Sequence, residues 1–131
     1  DRWVEDKLLY TLDEFGLGSI VFSPLEQGIL TSKYLDGIPA DSRAATEGSY
    51  LDKNTITEDL VSKIKKLNDL ASKRGQSLAQ MAVAWLLKDT RVTSVLVGVS
   101  RVSQLEDNLE AIKNIQFNRE ELQQIDEILG Y

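Results

Sequence analysis

The chain has 131 residues, enough for one domain with a hydrophobic core, and its 42% hydrophobic and 27% charged content is that of a globular protein. A formal net charge of −6 speaks against nucleic acid or an anionic membrane as a general partner, since both need a basic surface. With no cysteine and no histidine there is no disulfide, no thiolate metal site, and neither the commonest general base nor the commonest zinc ligand. No metal site is expected.

The chain opens without a methionine, directly in helical pattern, as a piece of something longer would. Asp1-Arg2-Trp3 is no signal peptide and no apolar run approaches bilayer length, so a cytoplasmic location is expected. Val4, Leu8, Leu9, Leu12 and Phe15 sit at helical spacing, predicting a helix over Val4 to Glu14 that Gly16 and Gly18 stop. Ser19-Ile20-Val21-Phe22 then reads as a buried strand ended by Ser23-Pro24.

Residues 25–54 are polar and rich in glycine and turn residues, a length of loop that is usually functional or disordered. Thr55-Ile56-Thr57-Glu58 fits a capping box, followed by Leu60, Ile64, Leu67 and Leu70 on one helix face, with Lys73-Arg74-Gly75 closing the helix. A second box, Ser77 to Gln80, opens a helix that is apolar on nearly all sides and must lie between other elements, with Trp85 in the core. Val92 to Gly98 reads as a fully buried parallel strand. Ser103 to Glu106 predicts a capped helix reaching about Lys113, and Asn118 to Glu121 caps the last, running to Leu129.

Strands alternating with helices imply right-handed connections and a parallel sheet. A sheet of only two strands cannot bury both of its faces. A whole (β/α)8 barrel typically takes about 250 residues. The fold class expected is therefore α/β: two parallel strands with flanking helices, the C-terminal part of a barrel rather than a complete one, in a single segment over 1–131.

Two strand ends carry the candidate chemistry. After the first strand, Ser23, Pro24, Leu25, Gln27 and Gly28 lead to Lys33, a loop whose N–H groups and lysine could hold a pyrophosphate. The alternative is a barrel loop with a solvated lysine, and that segment by itself favours it. After the second strand, Gly98, Ser100 and Arg101 precede a helix N-terminus, whose free N–H groups and dipole suit a phosphate. Here a plain helix cap at Ser103 with a solvated Arg101 is the competing account. Gln104, Asp107 and Asn108 share a helix face and could bond a ribose or an adenine edge, although a polar surface explains them as well. Asp41-Ser42-Arg43 could clamp a phosphate, but surface arginines are common. Glu120 and Glu121 suit a helix N-terminus, and Tyr10, Tyr50 and Tyr131 have no evident partner. No serine has a histidine to activate it.

At these strand ends the chain resembles the aldo-keto reductase superfamily, with wording nearest to its bacterial glyceraldehyde 3-phosphate reductases and its voltage-gated potassium channel β-subunits. The matching stretches are Ser23-Pro24-Leu25 through Gln27 to Tyr34, Gly37-Ile38-Pro39 with Ser42-Arg43, Gln80 to Leu86, Thr93 to Gly98 with Ser100, and Gln104-Leu105 with Asn108. They cover nearly the whole chain in order. The resemblance implies a (β/α)8 barrel that binds NADP(H) in extended form, with the two strands as its seventh and eighth. It places Ser23, Pro24, Leu25, Gln27, Gly28 and Lys33 along the nicotinamide-pyrophosphate stretch and Arg43 on a loop that clasps the adenosine. Ser100, Gln104, Asp107 and Asn108 fall on the 2′-phosphate and adenine. Asp107 departs from the glutamate common at that position, which leaves a shorter reach to adenine.

The family reduces aldehydes or ketones by hydride transfer, using an aspartate, tyrosine, lysine and histidine tetrad from the first half of the barrel. This chain carries none of those positions, so the implied role is cofactor binding in a larger oxidoreductase acting on a small carbonyl substrate, and the chain alone is expected to be inactive. Two alternatives stand beside it: a non-catalytic NADP-binding, redox-sensing module of the channel type, and an inert barrel fragment whose open strand edges favour homo-oligomers.

Overall fold

A computed structural model describes residues 2–40, 42–46, 48 and 51–131. The order is α1 (Leu8–Glu14), β1 (Ser19–Val21), α2 (Glu58–Lys73), α3 (Leu78–Leu87), β2 (Val92–Val95), α4 (Val102–Glu110) and α5 (Arg119–Leu129). That is the sequence of elements the hydrophobic patterning predicts. No helix among the described residues is long and apolar enough to cross a membrane.

The strands pair in parallel, Ile20 with Ser94 and Val21 with Val95, after an irregularity between Ser19 and Ile20. The Leu96 N–H donates to the Val21 carbonyl at 2.8 Å and extends the ladder by one step. A Cβ on Gly18 would meet the Thr93 side chain, so glycine lets the chains converge there without moving that threonine. The expectation of strands buried on both faces fails. Val95 and Val97 pack on Val83 and Ala84 of α3, but Ile20 is 71% exposed, Phe22 78% and Leu96 62%. Helices cover one face of the pair, and among the described residues nothing covers the other.

The core lies on the helical side. Ile64, Leu67, Leu70 and Ala71 of α2 meet Leu78 and Met81 of α3 and Ile125 of α5. Packed between α2, α4 and β2, α3 is the sandwiched helix its composition predicts, while Trp85 sits at the edge of the core under Arg2 and Lys88. The described part of the long segment after β1 is not simply polar. Its sparse apolar residues Ile29, Tyr34, Ala44 and Leu51 join this core, the first three in or beside 3-10 turns and Leu51 just ahead of the turn Lys53–Thr55.

Helix starts follow caps, with three corrections. The Ser77–Gln80 and Asn118–Glu121 boxes form reciprocally as predicted. Helix α2, however, is capped by Thr57, whose hydroxyl accepts from the Leu60 N–H, because Thr55 belongs to a preceding 3-10 turn capped by Asp52. Ser103 caps nothing. Helix α4 starts at Val102 after an extended Arg101, ends at Glu110 and continues as a 3-10 turn over Ala111–Asn114. At the N-terminus, Trp3–Glu5 forms a separate 3-10 turn and Lys7 (φ −141) breaks the run before α1. Arg2 holds that turn in place. It bonds Glu5 and the Asp126 carboxylate (2.7 Å) and lies over the rings of Trp85 and Tyr131. Tyr131 thus has a partner, as does Tyr10 beneath Arg91, whereas Tyr50 lies outside the described residues.

Arg74, read from sequence as a helix-closing charge, is a buried junction with its side chain 2% exposed. It pairs with Glu121 at 2.7 Å and donates to the Asn114 and Gln116 carbonyls (3.1 and 3.0 Å) and to Gln76 Oε1 (2.9 Å). Its guanidinium also stacks 3.7 Å from the Phe117 ring centroid. Breaking a buried pair strands its partner, so Arg74→Ala is expected to cost about 3 kcal/mol in urea denaturation, while Lys73→Ala on the exposed face stays within about 0.5 kcal/mol.

The turn entering β2 carries a second pair. Arg91 donates to both Asp89 oxygens (2.9 and 2.6 Å), and this hydrogen bonding holds the Asp89 carboxyl at about 2 instead of 3.8. Because the folded value is the lower one, the pair's contribution is complete above about pH 4 and fades as the pH falls towards 2. Urea midpoints measured across that window should fall less steeply for Asp89→Asn than for the parent chain.

Candidate functional site

Parallel pairing sets the C-terminal ends of β1 and β2 side by side, so the two candidate segments, far apart in sequence, emerge from one edge of the sheet. That is the end at which parallel α/β proteins carry their ligands.

The segment after β1 holds a run of left-handed backbone: Ser23 (φ 54), Glu26 (φ 44), Gln27 (φ 56) and Gly28 (φ 97). For a residue with a side chain this conformation costs about 1–2 kcal/mol, and it persists only where surrounding packing enforces it. Here the anchors are Leu25, packed on the Val83, Ala84 and Ala111 cluster, and Ile29, buried in the main core. Between them the Gly28 N–H donates to the Leu25 carbonyl (2.8 Å) and the Leu30 N–H to the same oxygen (3.1 Å). Pro24 follows Ser23 directly and is half-buried. Thr31 fastens the next turn, its hydroxyl donating to the Gly28 carbonyl (2.7 Å) and accepting from the Lys33 N–H. Buried Tyr34 roots that turn, while neighbouring Lys33 is exposed and makes no ion pair among the described residues.

Farther along, Ser42 is fully buried and its hydroxyl is without a partner among the described residues. Arg43 begins the 3-10 turn Arg43–Ala45. Its side chain, like Asp41, lies outside the described residues.

The segment after β2 runs through exposed Gly98 to Ser100 and Arg101. No side chain caps α4. The first bonds of this helix run from Gln104 and Leu105 back to the Arg101 carbonyl, leaving the Val102 and Ser103 N–H groups ahead of the helical ladder. Exposed Arg101 makes no ion pair among the described residues. An uncapped helix start with an adjoining free guanidinium is a donor set that fits a phosphate.

The predicted polar face of α4 is divided among three tasks. Gln104 Oε1 accepts from the Ser100 N–H (2.9 Å) and the Ser100 hydroxyl (3.1 Å), tightening the approach to the helix. Asp107 points to α3, accepting from Gln80 Nε2 (2.6 Å) and the Ser77 hydroxyl (3.3 Å). Asn108 is buried. In the sequence, local chemistry marks Gln80 as half of a capping box. A glutamine whose oxygen closes a capping box keeps a free amide NH2 for a neighbour, and that is the signal the sequence offers.

The perturbed ionisable pair Asp89–Arg91 lies before β2, at the opposite end of the sheet, and serves the fold. A surface groove of about 570 Å³ between Ile38, Ile56 and Lys65 also lies away from the strand ends.

Fold and site together define a parallel α/β chain whose adjacent strand ends bring an exposed lysine, an exposed arginine and an uncapped helix start together. A model of the Aldo/keto reductase family matches residues 1–130, and the chain belongs to that family, its unclosed pair of strands being part of the (β/α)8 barrel. Over 97% of its length it is 53% identical to the L-glyceraldehyde 3-phosphate reductase of Escherichia coli O157:H7, covering 38% of that protein. Over 83% of its length it is 40% identical to a probable voltage-gated potassium channel subunit beta of Oryza sativa subsp. japonica, covering 34% of it. The chain therefore spans less than half the length of the curated relatives it matches.

The backbone separates the two glycines of the site. Gly28→Ala forces a side chain into φ 97 and is expected to lower stability by about 1–2 kcal/mol. Gly98 has neither positive φ nor a neighbour within 4 Å of an added Cβ, so Gly98→Ala should leave the thermal midpoint in place.

Proposed function

We propose that this chain holds NADP(H) in a larger oxidoreductase that reduces small aldehydes or ketones by hydride transfer. The observation that carries this reading is the convergence, at one sheet edge, of a strained loop ending in free Lys33 and an uncapped helix start beside free Arg101. Two cationic anchors set apart on adjacent loops suit a dinucleotide, which carries a pyrophosphate in its middle and, in NADP, a further phosphate on the adenosine ribose. NADPH, when bound, supplies the hydride.

In this arrangement Ser23, Pro24, Leu25, Gln27, Gly28 and Lys33 line the nicotinamide and pyrophosphate, and Arg43 covers the adenosine. Gly98 lets the backbone approach, and Ser100 and Arg101 take the ribose phosphate. Gln104, Asp107 and Asn108 border the adenine. The carbonyl is polarised by residues outside this chain, which by itself turns over no substrate. A non-catalytic, NADP-sensing role would use the same residues. The higher identity to a reductase, 53% against 40% for the channel subunit, favours the enzyme.

Calorimetric titration of the complete protein with NADPH and with NADH tests the reading, with D,L-glyceraldehyde 3-phosphate as the first substrate for turnover. NADPH should bind more tightly than NADH, and Arg101→Ala should weaken NADPH by about tenfold with little change for NADH. Equal affinities for the two cofactors, unaltered in Arg101→Ala, would remove the phosphate assignment.

A further inference from the structure

The contact between α3 and α4 at Asp107 is more determined than either helix needs for packing. Gln80 is the third residue of α3, and its amide is fixed at both ends. Oε1 accepts from the Ser77 N–H at 3.0 Å, which leaves Nε2 to donate to Asp107 Oδ1 at 2.6 Å. The Ser77 hydroxyl, which accepts from the Gln80 N–H, donates to the other oxygen, Oδ2, at 3.3 Å. One reciprocal cap therefore presents two donors to one carboxylate. Val83 and Ala84 of α3 share a buried cluster with Ala111 at the end of α4, so the two helices are already packed together. Exposed neutral–charged hydrogen bonds add little stability to such a pair. What the two donors add is direction.

We infer that Gln80, supported by Ser77, is a positioning residue that turns the Asp107 carboxylate so that its remaining lone pairs accept the 6-amino group of an adenine. The inference rests on the dinucleotide-binding reading above. A carboxylate offers about four acceptor sites on its two oxygens. One on each oxygen is taken from the α3 side, and the others belong to an exposed residue. Adenine carries an N–H donor at its 6-position, which such a carboxylate accepts. Hypoxanthine carries a carbonyl oxygen there, which the same carboxylate repels. The short reach of an aspartate is matched here by a fixed orientation, since a carboxylate free to rotate on α4 would spend much of its time turned away.

The test compares NADPH with its hypoxanthine analogue, by equilibrium fluorescence titration of the complete protein. Gln80→Glu is the informative variant. A glutamate at this position still accepts from the Ser77 N–H and keeps the capping box, but it replaces the donor facing Asp107 with a like-charged oxygen. The parent protein should prefer NADPH by about tenfold, and Gln80→Glu should reduce that preference to about twofold or less with its thermal midpoint unmoved. Gln80→Met, which keeps the side-chain length without either hydrogen bond, should show the same loss and serves as the readout where the glutamate variant does not fold. A preference retained in these variants overturns the positioning role, because a purely structural contact would shift both affinities together. A parent protein that binds both dinucleotides equally overturns it too, since adenine is then not read at its 6-position. A parent protein that binds neither overturns the dinucleotide reading itself, which separates the two failures.

Discussion

The guanidinium of Arg74 stands where the end of α2, the turn into α3 and the approach to α5 meet, and almost no water reaches it. Removing so large a cation from solvent is tolerable only if its donors are matched, and they are: to Gln76, to two backbone carbonyls, and to Glu121. Glu121 is itself committed, since its Oε2 also accepts from the Asn118 N–H that opens α5. The junction reaches the site through a short path. Arg74 holds Gln76, which is bonded again to the Asn114 carbonyl; the next residue, Ser77, starts α3 and faces Asp107. The orientation of one carboxylate at the strand-end side is thus referenced to a buried guanidinium in the helical layer.

The sheet contributes less to stability than its place in the fold suggests. Its two strands share a short ladder, and their face away from the helices, with Ile20, Phe22 and Leu96, stays open. Helix α4 shows the same division, with Val102, Leu105, Leu109 and Ile112 exposed along one stripe and Ala111 wholly buried on the other side. Apolar burial is concentrated where α2, α3, α5 and the loop residues Ile29, Tyr34 and Leu51 meet. The loop after β1 is anchored in two places: Ile29 is buried in that layer, and Leu25 packs on the Val83, Ala84 and Ala111 cluster beside β2.

Where local chemistry decides the outcome, the sequence was legible. The boxes at Ser77 and Asn118 close within three residues, the stripe Ile64, Leu67 and Leu70 obeys one period, and Gly75 takes the left-handed conformation that ends α2. Legibility failed where a choice between near-equal local options was made by something distant. Thr55 and Thr57 both qualify as caps, and Asp52 settles the matter by capping the turn before them. Arg74 reads as one of several basic residues at a helix end; only the return of the chain at Asn114–Glu121 makes it a junction. Ile29, Tyr34, Ala44 and Leu51 have no period to reveal them, because they are spread along irregular chain and short turns. At the site, the residue types at both strand ends could be named, but the division of the α4 face depended on which neighbours reach it.

The two ends of the sheet are therefore treated differently by the same short strands. Before β2, Asp89 and Arg91 form a doubly hydrogen-bonded pair, Arg91 covers Tyr10, and its carbonyl accepts from the Ser19 hydroxyl, so the charges there are used up within the fold. After the strands the pattern is reversed. Ser23, Glu26 and Gln27 sit in backbone conformations that cost energy, α4 begins without a side-chain cap, and Lys33 and Arg101 make no ion pair among the described residues. The fold thus satisfies its charges at one end of the sheet and gathers backbone strain, helix-start N–H groups and two exposed cations at the other.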